Sequence, residues 1–288
     1  GICYYNYLFN IYKNKGLVKD VFKNINENYS EIETKIIIGH TRYSTSGSKN
    51  KDELQPFLGI NRKLGQFSFC FNGNIPYTKQ YSNYFPNYKY NKDTYLDTDF
   101  IRECFETDFY SSWEELFIDF IKKVDRAYCI LVIANEKLYV LRDSYDVRPL
   151  CYGEKDGNIC VASESCALLK YDYVRPIKPG ECLCISNGTI KSLNTHSIKY
   201  TATCIFEYIY FLNEKSTNVS YIRSQFGELL GSLDEDFKDK DYIVCGTPSS
   251  GILSAQAYAK YLNIRYEQFI EKNPKSNRTF ILENNVKR

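Results

Sequence analysis

Around residue 200 the grammar of this chain changes, and that change limits the possible folds more than any other feature. Before it, apolar runs of strand length dominate. "AYCILVIA" (Ala127 to Ala134) and "KLYVLR" (Lys137 to Arg142) flank Asn135-Glu136 and predict a hairpin. Ahead of them, "SSWEELFIDFIKKV" places Trp113, Leu116, Phe117, Phe120, Ile121 and Val124 at helical spacing, with Ser112 and Glu115 as a capping box. That pattern predicts an amphipathic helix lying on a sheet. After residue 200, helix and strand alternate. "FGELLGSL" (226–233) and "GILSAQAYAKYL" (251–262) read as helices, "DYIVCGT" (241–247) and "IRYEQFI" (264–270) as strands. Such alternation implies a parallel sheet. Two strands do not close a doubly wound domain, so the second unit reads as truncated at Arg288.

The totals agree with two units, since 288 residues exceed the usual domain of about 100–200. A formal charge of +2, from 37 basic and 35 acidic residues, gives no electrostatic case for nucleic acid or an anionic membrane. The eleven cysteines sit within apolar runs and form no CxxC pair, which predicts buried free thiols in a reducing compartment. No stretch approaches the roughly 20 apolar residues of a membrane span, and the expected location is cytoplasmic. Methionine is absent even at position 1, so the chain does not open at an ordinary translation start.

Three short segments carry residues suited to chemistry. "IIIGHTRYSTSG" (36–47) runs three isoleucines into Arg42 between glycines and hydroxyl residues. A guanidinium there can grip a carboxylate through two parallel hydrogen bonds, or simply pair with a neighbouring acid. "FNGNIPY" (71–77) follows a strand; Asn72-Gly73 is either a hairpin turn or an amide and a backbone N–H aimed at one oxyanion. "YLDTDFI" (95–101) puts Asp97 and Asp99 at the start of a predicted helix, as dipole partners or as a grip for an ammonium. Together they describe a pocket for an amino acid attacked at its side-chain carbonyl.

The ordered set "GHTRYSTSGS", "QPF" (55–57), "NGN", "RDSYDVRPL" (142–150), "ASESCAL" (162–168) and "PGE" (179–181) resembles the glutaminase domain of the amidophosphoribosyltransferase family. "CIFEYIYF" (204–211), "VCGTPSSG" (244–251) and "KNPKSNRTFI" (272–281) resemble the segments that open its phosphoribosyltransferase domain. The resemblance implies an α+β fold: a four-layer αββα N-terminal-nucleophile hydrolase sandwich over 1–200, then the start of an α/β type I phosphoribosyltransferase domain over 201–288. It implies that Arg42 binds the α-carboxylate of glutamine, that Asp97 holds its α-amino group, and that Asn72 and Gly73 form the oxyanion hole. "RDSYDVRPL" and "ASESCAL" would be scaffold of the sandwich. Ser250 would be associated with Mg²⁺ beside phosphoribosyl pyrophosphate, and the intact enzyme would be a homo-oligomer making phosphoribosylamine for purine synthesis. Cys204 matches a position that ligates an iron–sulfur cluster in some members; a lone cysteine does not specify one, and none is expected.

The chain also departs from the family. Its nucleophile is an N-terminal cysteine followed by Gly-Ile, whereas this chain opens at Gly1-Ile2, so the cysteine is expected immediately before Gly1. Cys3 lies inside the first predicted strand and carries no free amine, which argues against it as a substitute. The alternative reading is a non-catalytic glutamine-binding or regulatory module that kept Arg42, Asn72 and Asp97.

Overall fold

The computed structural model describes residues 1–22, 34–42, 54–76, 78–85, 88, 96–195 and 200–273. Contacts divide the chain into two compact units, Gly1–Ser163 with Tyr171–Thr203, and Glu164–Lys170 with Cys204–Arg288. The Glu164–Lys170 segment departs from its expected place in the sandwich. The Glu164 carboxylate accepts the Asn213 N–H at 2.7 Å and the Ser216 hydroxyl at 2.9 Å, and Ser165 Oγ accepts the Thr217 N–H at 2.8 Å. These bonds tie most of "ASESCAL" to the second unit.

The first unit contains β1 (Ile2–Asn6), β2 (Leu8–Tyr12), α1 (Val18–Val21), β3 (Ile36–Gly39), β4 (Phe57–Asn61), β5 (Gly65–Asn74), α2 (Asp97–Phe105) and α3 (Trp113–Lys123). Then come β6 (Ala127–Ala134), β7 (Lys137–Arg142), β8 (Cys151–Lys155), β9 (Asn158–Ala162), β10 (Tyr173–Pro176), β11 (Glu181–Ser186) and β12 (Thr189–Thr195). A six-stranded antiparallel sheet in the order β12-β11-β7-β6-β5-β4 forms its centre. Asn135 and Glu136, both at positive φ, make the two-residue turn between β6 and β7.

This sheet is covered on both faces, which explains why β6 is apolar throughout instead of alternating. Tyr128, Ile130 and Val132 face the helices, where they join Phe67, Phe69 and Phe71 of β5 in a core with Phe105, Trp113, Phe117 and Phe120. The capping box at the start of α3 forms with a shift of one residue. Ser112 Oγ accepts the Glu115 N–H at 3.2 Å, while the Glu115 carboxylate accepts the N–H of Ser111 at 2.9 Å. On the opposite face, Cys70, Cys129, Ile133 and Val140 meet Cys3, Ile38 and Tyr152 from two three-stranded sheets, β2-β1-β3 and β10-β8-β9. The described residues thus stack helix, sheet and sheet. Besides α2 and α3, their one α-helix in this unit is the four-residue α1, so a second helical layer is not seen among them.

The second unit holds α4 (Val219–Leu233), β13 (Ile243–Val244), α5 (Ile252–Tyr261) and β14 (Arg265–Tyr266). β13 and β14 pair in parallel, Ile243 opposite Arg265 and Val244 opposite Tyr266. Both strands are shorter than their apolar runs suggest, because a ladder extends only as far as a partner answers it. Conversely, α4 begins well before the predicted 226. Buried Arg223 explains the extension: it donates to the carbonyls of Tyr208 at 2.7 Å and Leu212 at 2.8 Å, and its own carbonyl accepts Ser254 Oγ at 2.8 Å. Among the described residues, no helix is long and apolar enough to cross a membrane.

Candidate active site

The start of β1 and the end of β3 lie side by side. The Gly1 amine donates to the His40 carbonyl at 2.8 Å, and the His40 N–H donates to the Gly1 carbonyl at 2.9 Å. This continues the register that pairs Ile2 with Gly39. β3 is an edge strand of its sheet among the described residues, and only Ile38 of its three isoleucines is fully buried; Ile37 is half exposed. The chain therefore delivers His40, Thr41 and Arg42 from a sheet edge, with Arg42 half-buried.

β5 passes beneath this end. Cys70 Sγ lies 3.8 Å from the Gly39 carbonyl, and Asn72, two residues on, projects from the same face of β5. Asn72 pairs with Cys129 and Gly73 with Tyr128, so the Asn-Gly pair sits inside a strand and is not a hairpin turn. Gly73 is required by close approach: a Cβ there would lie 2.2 Å from the Ala127 carbonyl and 2.8 Å from the Phe71 ring. After β5, the N–H of Ile75 meets the Asp97 carboxylate, which also accepts the N–H of Thr98 and feels the Arg42 charge. Burial pushes the Asp97 carboxyl above its ordinary value, opposed by those N–H groups and by Arg42. Arg42, Asp97 and the end of β5 are thus brought together. Residues 43–50, with the hydroxyl run of the motif, lie outside the described residues.

His40 completes the cluster. Its imidazole lies against the Phe71 carbonyl and near Arg42 and the Gly1 amine, and burial with those two charges lowers its pKa to about 4. Nδ1 is buried with no hydrogen-bond partner among the described residues. The folded chain therefore holds a neutral His40, while the unfolded chain takes up a proton near 6.5. Because the folded pKa is the lower one, the associated stability is complete above pH 6.5 and is lost as pH falls toward 4. The loss amounts to about 3 kcal/mol. Urea midpoints at pH 7, 5.5 and 4 test this: His40→Asn is expected to flatten the decline, and parallel curves would refute it.

The nearby thiols are poor nucleophiles. Cys3 is fully buried and its thiol is raised by desolvation, and Cys70 is pushed up to about 12 by the same cause. Ser250 lies elsewhere, in the second unit, in the turn that precedes α5, where the Gly251 N–H bonds the Thr247 carbonyl at 3.0 Å. Among the described residues no group of three or more His, Cys, Asp or Glu could hold a metal ion. One serine hydroxyl does not make a magnesium cage.

A sequence profile described as a glutamine amidotransferase domain matches residues 40–170, the span that contains Arg42, Asn72, Gly73 and Asp97. An amidophosphoribosyltransferase of Methanocaldococcus jannaschii is 33% identical across 94% of this chain and 61% of its own length. Over nearly its whole length the chain is thus similar to amidophosphoribosyltransferases. The Bacillus subtilis amidophosphoribosyltransferase is 30% identical across 94% of the chain and 57% of its own length. The solved glutamine phosphoribosylpyrophosphate amidotransferase of B. subtilis, complexed with ADP and GMP, superposes with a TM-score of 0.82 at 27% identity. It aligns with 99% of this chain and 62% of its own. The chain thus spans about half to three fifths of the length of the amidophosphoribosyltransferases it matches.

Two residues of the site give no local signal in the sequence. His40 was visible only as a neighbour of Arg42; its burial depends on β1 and β5, which are distant in sequence. Gln55, whose side chain holds the Phe71 backbone, sits in "QPF" without any local signal of that contact.

Proposed function

We propose that the chain is part of a glutamine-dependent amidophosphoribosyltransferase: a glutaminase unit followed by the opening of a phosphoribosyltransferase unit. One observation carries this reading. Asp97, whose carboxylate feels the Arg42 charge and accepts the Ile75 N–H, stands beside the exit of β5, where Asn72 and Gly73 lie. Free glutamine presents the complementary set of a carboxylate, an ammonium and a side-chain carbonyl. In this reading Arg42 takes the α-carboxylate, Asp97 the α-ammonium, and the Asn72 amide with the Gly73 N–H the oxyanion. A cysteine carried N-terminal to Gly1 attacks the side-chain carbonyl. The tetrahedral intermediate collapses to a thioester and releases ammonia, and water then frees glutamate. The ammonia displaces pyrophosphate from C1 of phosphoribosyl pyrophosphate, giving phosphoribosylamine.

The first unit is then the αββα sandwich of N-terminal-nucleophile hydrolases, and the parallel β13–β14 pair with α4 and α5 belongs to a type I phosphoribosyltransferase core. Magnesium fits that half only as the companion of the pyrophosphate substrate, with Ser250 at most an outer partner, since Mg²⁺ keeps several waters and few protein ligands. The near-neutral charge supports small substrates over nucleic acid, and the free thiols support a cytoplasmic setting. We assign a homo-oligomer on family likeness alone. The relatives carry an enzyme's name, which does not favour the non-catalytic module.

Arg42→Lys tests the carboxylate grip. Lysine keeps the charge but loses the two-pronged geometry, so KM for glutamine is expected to rise roughly 10–100-fold. Activity with ammonia in place of glutamine stays unchanged. An unaltered KM would remove Arg42 from the pocket.

A further inference from the structure

β4 partners β5 only as far as Phe69, which stands opposite Phe57. Two residues further along that register, Gln55 would face Phe71, but the backbone ladder has ended. The Gln55 side chain replaces it. The Phe71 N–H donates to Gln55 Oε1 at 2.6 Å, and Gln55 Nε2 donates to the Phe71 carbonyl at 3.1 Å. Gln55 is buried, so both bonds are shielded from water. Phe71 is the residue immediately before Asn72, and Asn72 is held from the opposite edge through its pairing with Cys129.

The loop that carries Gln55 is itself fastened. Lys13 Nζ donates to the carbonyls of Leu54 at 2.8 Å and Pro56 at 3.2 Å, on either side of Gln55, and lies 4.9 Å from the centre of the Phe57 ring. The Gln55 backbone carbonyl rests against Gly1, so closely that a Cβ on Gly1 would sit 2.5 Å from it. One residue therefore touches the start of β1 with its backbone and the end of β5 with its side chain.

We propose that Gln55 is a positioning residue for glutamine hydrolysis: its amide serves as a stand-in strand that fixes the end of β5, so that Asn72 and Gly73 point at the developing oxyanion. The proposal rests on the reading of Asn72 and Gly73 as the oxyanion pair. Its physical basis is the tolerance of such sites. Donors must be held within about 0.5 Å, and a displacement of about 1 Å costs on the order of a hundredfold. A buried backbone N–H that loses its partner reorganises, and here the reorganisation begins one residue from the catalytic amide; the Phe71 carbonyl, which the His40 imidazole also faces, loses one of its two donors. Lys13 acts one step further out, by holding the loop.

The experiment uses the complete enzyme with its upstream nucleophile. Gln55→Glu keeps the acceptor for the Phe71 N–H but removes the donor to the Phe71 carbonyl; Gln55→Met removes both at similar volume. Each is expected to lower kcat for glutamine hydrolysis roughly 10–100-fold with KM within about threefold. Ammonia-dependent synthesis, which needs no oxyanion hole, is expected to stay within about twofold and so reports an intact fold. Lys13→Met is expected to shift kcat in the same direction by a smaller factor. A glutamine kcat within twofold of the parent for both Gln55 variants overturns the proposal. So does a loss shared equally by the ammonia reaction, or insolubility of both variants, since either makes Gln55 a fold clamp only. A parent enzyme that hydrolyses no glutamine at all would instead overturn the reading of the pocket.

Discussion

Replacing Asn72 with alanine is expected to lower glutamine turnover in the complete enzyme by about two to three powers of ten, the usual effect of deleting one oxyanion donor, or about 3–4 kcal/mol, on the reading of Asn72 proposed above. The structure makes this a clean deletion. Asn72 is exposed at the end of β5, its backbone pairing with Cys129 does not depend on its side chain, and alanine leaves no cavity. The proposed pocket assigns the substrate's carboxylate and ammonium to other groups, so KM is expected to stay within a few-fold while kcat falls. Gly73 offers no comparable deletion, because a Cβ there meets the Ala127 carbonyl at 2.2 Å and would disturb the pairing of β5 with β6. Steady-state glutamine hydrolysis, with ammonia-dependent synthesis as the control, provides the measurement. A kcat within threefold of the parent would mean that the amide is not aimed at the reacting carbonyl.

The second large effect concerns stability. Phe105, the last residue of α2, is fully buried, and its ring meets Phe67, Phe69, Phe117 and Phe120 edge-on at centroid distances of 5.1–5.9 Å. It thereby joins two helices to β5, the strand that ends in Asn72. Phe105→Ala removes that ring from a packed interior, where such truncations cost about 3–5 kcal/mol and edge-to-face pairs add to the loss. For a unit of this size the expected fall in melting temperature is roughly 6–20 °C. Phe109, a few residues further on and largely exposed, is the contrast: Phe109→Ala is expected to change stability by less than about 0.5 kcal/mol. Similar melting curves for the two variants would show that the aromatic cluster is not the core of this unit.

How much of this was legible in the sequence depended on the range of the forces involved. The α3 helix and the β6–β7 hairpin were readable because their signals are local: a cap, a 3.6-residue apolar period and a two-residue turn. Asn72-Gly73 was ambiguous, since the same dipeptide makes turns. Only the pairing with Cys129 and Tyr128, which are distant in sequence, decides for a strand interior. The early start of α4 was missed because Val219 to Gln225 has modest helix propensity, and the buried Arg223 supplies the stability from outside the segment. Gln55 was missed for a related reason. A side chain standing in for a strand leaves no periodic trace, and nothing in "QPF" names Phe71 as its partner.

The Glu164–Lys170 segment lies in sequence between β9 and β10 of the first unit yet belongs to the second. The polypeptide passes between units after Ser163, after Lys170 and again after Thr203. A recombination event with a single breakpoint near residue 200 would therefore separate Asn213 and Ser216 from the carboxylate that receives them. Transplanting the later part onto another scaffold without this short peg would leave those hydrogen bonds unmade.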